Sequence, residues 1–365
     1  MDYQKRRRLL KEKLRRKNID VLLVAQPENR RYLSGYQADD HSAQESSGVL
    51  LIPARGRSVL LTDFRYQVQA EQQSDLPVTL YRRGLLQLLQ TLLGEYNTRT
   101  LGFESDYTLY STSVKLAALA KRLHLDLAPC DNLVESMRIV KEEAELAVIR
   151  ESVALNEQIF TNLFSSLSPE MSERQVARTI ENMAFEAGCD GISFAPIVAA
   201  GPSGAMPHAH PSASPIGRER PITIDMGVRL NGYCSDMTRN FVLGDPDDTY
   251  LAVHRLVRKA QIAGIKAIRE GVSVGQVDRA AREVIAKGGY GKYFGHALGH
   301  GVGLAVHEDP RLSGRSRRKL RRDMVVTVEP GIYLPGWGGV RLENMVIVRE
   351  DHGEVINRDQ TWLDI

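Results

Sequence analysis

Cysteine is scarce in this 365-residue chain: Cys130, Cys189 and Cys234 are widely spaced, with no C-x-x-C pair. That excludes a disulfide framework or a thiolate zinc site and makes the three reduced core residues. Aromatic residues are only 6% of the chain, which disfavours recognition of single-stranded nucleic acid by stacking. No apolar run approaches the roughly 18 residues of a membrane span. The start, Met1-Asp-Tyr-Gln-Lys-Arg-Arg-Arg8, is charged where a signal peptide needs an apolar stretch. A cytoplasmic location with no membrane partner is the expectation. Net charge is also small, +3, too near neutral for a dedicated polyanion binder. Nine basic residues fall within the first 17, alongside only Asp2 and Glu12. This segment reads as a helix packing through Leu9, Leu10 and Leu14, and no nucleic-acid partner is expected.

What is present points to a folded chain of two domains, since 42% of residues are hydrophobic and domains run to roughly 100–200 residues. Residues 1–131 read as an α/β domain: a helix to residue 17, a buried strand Asp20–Ala25, and apolar runs at 48–53 and 58–62 with the spacing of a hairpin. Helical stretches near 64–73 and 112–123 and strands near 78–82 and 100–103 complete it. Residues 132–365 form the second domain, which opens on a long amphipathic helix carrying Leu146, Ile149, Val153, Phe160, Leu163 and Leu167. This domain contains an echo: Ser172-Glu-Arg-Gln-Val-Ala-Arg178 returns as Ser273-Val-Gly-Gln-Val-Asp-Arg279. Each copy has the form of a capping box, and each leads to a glycine suited to end a helix, Gly188 and Gly289. A duplicated half-domain accounts for both.

The chemistry concentrates in three places. In Pro221–Leu243, Asn231-Gly232 between two strand-like runs signals a two-residue type I′ turn. Leu230 then faces Tyr233, Asp225 lies opposite Thr238, and Asp236 points to the same face, so two carboxylates become diagonal neighbours. The alternative is a solvent-facing pair on an edge hairpin. Next, His296, His300 and His307 crowd a glycine-rich stretch. Finally, two strands present Glu329 on the face of Thr327, and Glu343 on the face of Arg341 and Met345. Carboxylates among such apolar strands are costly to bury unpaired, with exposed edge strands again the alternative. Asp225, Asp236, Glu329 and Glu343 together balance two divalent cations. Four oxygen donors with one imidazole suit Mn²⁺, Co²⁺ or Fe²⁺ at least as well as Zn²⁺, and a paired site would deprotonate a bridging water.

With these residues in view, the chain resembles the pita-bread metallopeptidases, specifically the branch of prolidases (Xaa-Pro dipeptidases) and Xaa-Pro aminopeptidases. Asn29-Arg-Arg-Tyr-Leu-Ser-Gly35 and Leu61-Thr-Asp-Phe-Arg-Tyr66 carry the resemblance through the first domain. It implies an α/β creatinase-type N-terminal domain, then an α+β pita-bread catalytic domain with internal pseudo-two-fold symmetry. It also implies a homodimer. By the same resemblance Asp225 binds one metal, Asp236 and Glu343 bridge, and His300 and Glu329 bind the other. Two divalent ions are implied, Mn²⁺ ahead of Co²⁺ or Zn²⁺. His208, His296 and His307 would line the cleft, while His41, His124, His210, His254 and His352 receive no role. Arg341 resembles an arginine beside the ligands and is assigned to the substrate side. The implied reaction is attack of a metal-bridging hydroxide on the Xaa-Pro carbonyl, with Glu329 as base and His208 or His307 assisting the leaving nitrogen.

Two departures from the pattern stand out: Arg321-Arg-Asp323 replaces a Pro-Gly turn, and Ser203 stands where asparagine is common. Dipeptidases need an arginine for the substrate's terminal carboxylate. Of Arg311, Arg315, Arg317, Arg318, Arg321 and Arg322, Arg315 best matches the family position. The reading therefore leans to a dipeptidase acting on proline-containing dipeptides. An Xaa-Pro aminopeptidase acting on longer peptides, or a non-catalytic binding module on the same scaffold, is the alternative.

Overall fold

The structure, a computed structural model, describes residues 1–40, 42, 44–358 and 362–364. The chain divides into two units, Met1–Arg138 and Ile139–Ile365. Among the described residues no helix is long and apolar enough to cross a membrane.

The first unit is built on a six-stranded mixed sheet. Its central strand Val21–Val24 pairs antiparallel with Val49–Pro53 and parallel with Thr100–Glu104. The expected hairpin forms with Val49 opposite Leu61. The helices Pro27–Ser34, Leu85–Glu95 and Glu135–Arg138 and the edge strand Asp126–Cys130 were not anticipated. In the first helix, Tyr3–Arg16, Leu10 and Leu14 are fully buried but Leu9 is 42% exposed, so it does not share the packing expected of it. Arg6 and Arg7 are buried instead. The Arg6 guanidinium lies 4.0 Å from the centroid of the Tyr32 ring, and Arg7 pairs with Asp75 at 2.6 Å. Much of the helix's positive charge is thus spent inside its own unit, with Lys13 and Arg15 also bonded to it.

The second unit opens with the helix Glu143–Ser166, whose apolar stripe of Leu146, Ile149, Val153, Phe160 and Leu163 is buried; each such side chain is worth about 1.5–3 kcal/mol. The echo is visible in space. The helices Glu173–Glu186 and Val274–Lys287 both begin with complete capping boxes, Ser172 with Gln175 and Ser273 with Gln276. Both end before glycines in the left-handed conformation, Gly188 at φ +76 and Gly289 at φ +87.

Alternation explains how two sheets build one site. Ile222, Ile224 and Met226 face an apolar core shared with Val176 and Ile180, which leaves Thr223 and Asp225 on the other face. Likewise Val326, Val328, Val346 and Val348 face a core with Val257 and Val277, leaving Thr327, Met345 and the carboxylates opposite. The expected turn is present, with Asn231 at φ +46 and Gly232 at φ +77. Its register pairs Leu230 with Tyr233 and Asp225 with Thr238. Gly227 bends this hairpin: a Cβ there would sit 2.1 Å from the Ser235 carbonyl oxygen. At the altered turn, Asp323 adopts φ +64. Its side chain pairs with Arg349, and its backbone bonds Val348 O and Lys141 N, so the loop closes without the usual glycine.

Candidate metal centre

Asp225 lies on the strand Ile222–Met226, Asp236 just before Met237–Phe241, His300 within Gly299–Gly301, Glu329 just after Val325–Val328, and Glu343 just before Asn344–Val348. Carboxylate oxygens of Asp236 and Glu343 and a ring nitrogen of His300 lie within 4.8 Å of one another. His300 Nε2 is also 3.4 Å from Glu329 Oε1 and 3.5 Å from Asp236 Oδ2.

The tautomer of His300 decides what this cluster can hold. Its Nδ1 lies 3.0 Å from the Gly301 carbonyl oxygen, which can only accept, so Nδ1 carries the proton. Burial lowers the ring to about 4, so it is neutral at pH 7. Nε2 therefore aims a lone pair at two carboxylates, an arrangement that is repulsive unless a proton or a metal cation sits between them. The carboxylates give the same indication. Burial, then the charges of Glu343, Asp225 and Glu329, push Asp236 well above its usual range. Burial, then Glu329 and Asp225, do the same to Glu343. Burial also raises Glu329 to about 8, against the opposing pull of Arg341. Among the described residues Asp225 Oδ1, which is buried, has no hydrogen-bond partner. Divalent cations fit this donor set.

Neighbours orient the donors. Arg341 is almost wholly buried, and its Nη2 bonds Asp225 Oδ2 at 2.7 Å while its Nε bonds Thr238 Oγ1 at 3.0 Å. Thr238 in turn donates to Glu343 Oε2 at 2.8 Å. Thr327 accepts from His300 N and donates to Glu329 Oε1 at 3.2 Å. Arg341 Nη1 also donates to Tyr333 Oη at 3.0 Å, and Tyr333 meets His296 Nε2 at 2.8 Å. Because His296 Nδ1 faces the Ala297 carbonyl, Nε2 is the acceptor. Sequence reasoning missed Thr238, Thr327 and Tyr333. Period-2 spacing from Asp236 and Glu329 was the available signal for the first two.

Of the other cleft candidates, the His307 ring stands edge-on to His300 at 4.4 Å between centroids. His208 is exposed and close enough for its charge to act on both His296 and His307. Arg311, on the strand Glu308–Leu312, and Arg315 are both exposed, but Arg311 acts electrostatically on His300, His307 and Glu329, whereas Arg315 has no ion pair among the described residues. His254 is fully buried, His210 and His352 are exposed, His124 ends a helix, and His41 lies outside the described residues.

Residues 147–350 match the model of metallopeptidase family M24. The chain belongs to that family. Residues 6–140 match the creatinase/prolidase N-terminal domain, so the fold is that domain followed by the pita-bread catalytic domain. Among relatives of this M24 peptidase, an Xaa-Pro dipeptidase of Pyrococcus horikoshii is 30% identical over 95% of both chains. A solved Xaa-Pro dipeptidase from Bacillus anthracis superposes with a TM-score of 0.93 at 33% identity, covering 100% of each chain. An X-Pro aminopeptidase from Thermotoga maritima gives 0.86 at 32% identity, covering 95% of this chain and 98% of that one.

Proposed function

We propose that this M24 peptidase hydrolyses the Xaa-Pro bond of dipeptides with two divalent cations held by Asp225, Asp236, His300, Glu329 and Glu343. The observation that carries the reading is the His300 lone pair directed at Glu329 and Asp236 amid buried carboxylates without their counter-charge. When bound, the cations would supply a nucleophile from water at neutral pH and polarise the scissile carbonyl.

The chain's own residues do the rest. Glu329, steadied by the Thr327 hydroxyl, takes the proton from the attacking water and passes it on. His307 and His208 stand at the cleft to stabilise the developing oxyanion and to protonate the departing proline nitrogen. His296, its lone pair engaged by Tyr333, walls the site as a neutral ring. Arg341 fixes Asp225 and, through Thr238, Glu343. The arginine that meets the substrate's terminal carboxylate is Arg311, on the strand Glu308–Leu312, because its charge reaches the centre; Arg315, in the loop that follows, is the rival. Manganese as the resident ion, a homodimer and a cytoplasmic location complete the proposal.

The test is proline release by protein loaded with Mn²⁺, Co²⁺ or Zn²⁺ from Xaa-Pro dipeptides, Xaa-Pro-Yaa tripeptides and Xaa-Ala controls. A metal-replete protein inert on every proline peptide refutes the reading. Preference for tripeptides moves the assignment to an Xaa-Pro aminopeptidase, the name carried by the Thermotoga maritima structure.

A further inference from the structure

Glu173 is the first residue of the helix Glu173–Glu186, yet the helix does not use its side chain as a cap. Ser172 Oγ already accepts the Gln175 N–H at 3.1 Å, and Gln175 Oε1 accepts the Ser172 N–H at 2.8 Å. The Glu173 carboxylate, 1% exposed, turns instead to residues 200–212. Oε1 accepts the Ala200 N–H at 2.9 Å and the Ser203 hydroxyl at 2.5 Å, while Oε2 accepts the Ser212 N–H at 2.9 Å. One side chain thus ties both ends of the segment that carries His208. A second tie comes from Arg341 Nη1 to the Pro207 carbonyl at 3.2 Å. Between these ties Met206 and His208 are exposed.

No cation pairs with Glu173 among the described residues. Burial works against its charge, but the hydrogen bonds from Ser203, Ser212 and Ala200 prevail and hold the carboxyl below its ordinary range. The other echo helix is arranged similarly. Buried Asp278 accepts the Leu298 N–H at 3.1 Å and holds Arg282, which bonds the carbonyls of Phe294 at 2.8 Å and His296 at 2.7 Å. Each copy therefore uses a buried acid to anchor the segment bearing a cleft histidine.

We propose that Glu173 is a positioning residue for His208, setting the span of the 200–212 loop so that the imidazole is presented to the reacting bond. The inference rests on the proposed role of His208. It also gives Ser203, the departure from the family pattern, a function as the middle rung of the staple.

Glu173→Gln keeps an oxygen for Ala200 and Ser203 but faces the Ser212 N–H with a second donor. In the metal-loaded enzyme, kcat on an Xaa-Pro dipeptide should fall about tenfold with KM and metal content nearly unchanged. In a His208→Ala background the same change should add less than about twofold, because coupled residues are non-additive. Equal losses in both backgrounds would make Glu173 merely structural and overturn the proposal. Should Glu173→Gln fail to fold, Ser203→Ala removes one rung, and the same comparison applies with a loss of about threefold. Amide hydrogen exchange supplies a readout independent of substrate. Exchange across 200–212 should accelerate in Glu173→Gln while the strands Ile222–Met226 and Val325–Val328 keep wild-type protection. Unchanged exchange in the loop overturns the staple whatever the substrate, whereas wild-type protein that releases no proline overturns the proposed function.

Discussion

Replacing Glu329 by glutamine in the metal-free protein tests the electrostatics of the centre apart from catalysis. Burial raises this carboxyl from 4.5 to about 8, so the folded chain keeps a proton that the unfolded chain has released. Stability from this group is therefore full at low pH and is lost as pH climbs from 4.5 through about 8, the reverse of an ordinary salt-bridged carboxylate. The slope is about 1.4 kcal/mol per pH unit for one group, and the sum over the window, about 5 kcal/mol, rivals the lower end of a domain's whole stability. His296 and His300, lowered by burial from 6.5 to about 4, act in the opposite sense. They are common to both proteins and cancel in the difference. With both proteins stripped by a chelator, the Tm of Glu329→Gln minus that of wild type should rise by about 3–6 °C per pH unit between about pH 5 and pH 8. A constant or narrowing difference would refute the reasoning. Saturating Mn²⁺ should flatten the wild-type dependence, because cations replace protons as the counter-charge.

Three further outcomes are expected. Asp236→Asn should lower turnover more than about 100-fold and reduce metal occupancy while leaving circular dichroism unchanged; normal occupancy and rate would remove Asp236 from the ligand set. Arg341→Lys, which loses the fork joining Asp225, Thr238 and Tyr333, should cost about 10–100-fold in metal affinity or rate, read by titration calorimetry and steady-state kinetics. Arg311→Ala should raise KM for Xaa-Pro dipeptides by about 10–100-fold but spare a C-terminally amidated analogue. If Arg315→Ala alone produces that pattern, the carboxylate role belongs to Arg315.

The sequence reveals the hairpin register because a two-residue turn fixes it. Once Asn231-Gly232 adopt positive φ, the opposition of Asp225 and Thr238 is arithmetic. The capping boxes are legible for the same reason: both partners lie within three residues. The helix Pro27–Ser34 also had its signals, a proline at the start and Gly35 at φ +80 after the end. Leu85–Glu95 had one as well, since Leu85, Leu86, Leu89, Leu92 and Leu93 recur at helical spacing and face one core. What could not be read was contact between distant segments. Thr238 meets Glu343 across 105 positions, Arg341 meets Asp225 across 116, and Glu173 reaches Ser212 across 39. Nothing local in composition or spacing marks such pairs. Arg311 shows the same limit, because counting back along the chain does not tell which arginine's charge reaches the centre.

The five proposed ligands all stand within or directly beside β-strands, none on a long free loop. Hydrogen-bonded strands place such groups before any ion arrives, so little chain ordering accompanies loading. Ion exchange would then be governed by desolvation and release of the departing ion, and dialysis should interconvert metal forms without an unfolding step. Such a frame also discriminates poorly among ions of similar size. Manganese would then be the resident ion by supply rather than by the frame's selectivity, and activity should follow the metal composition of the growth medium.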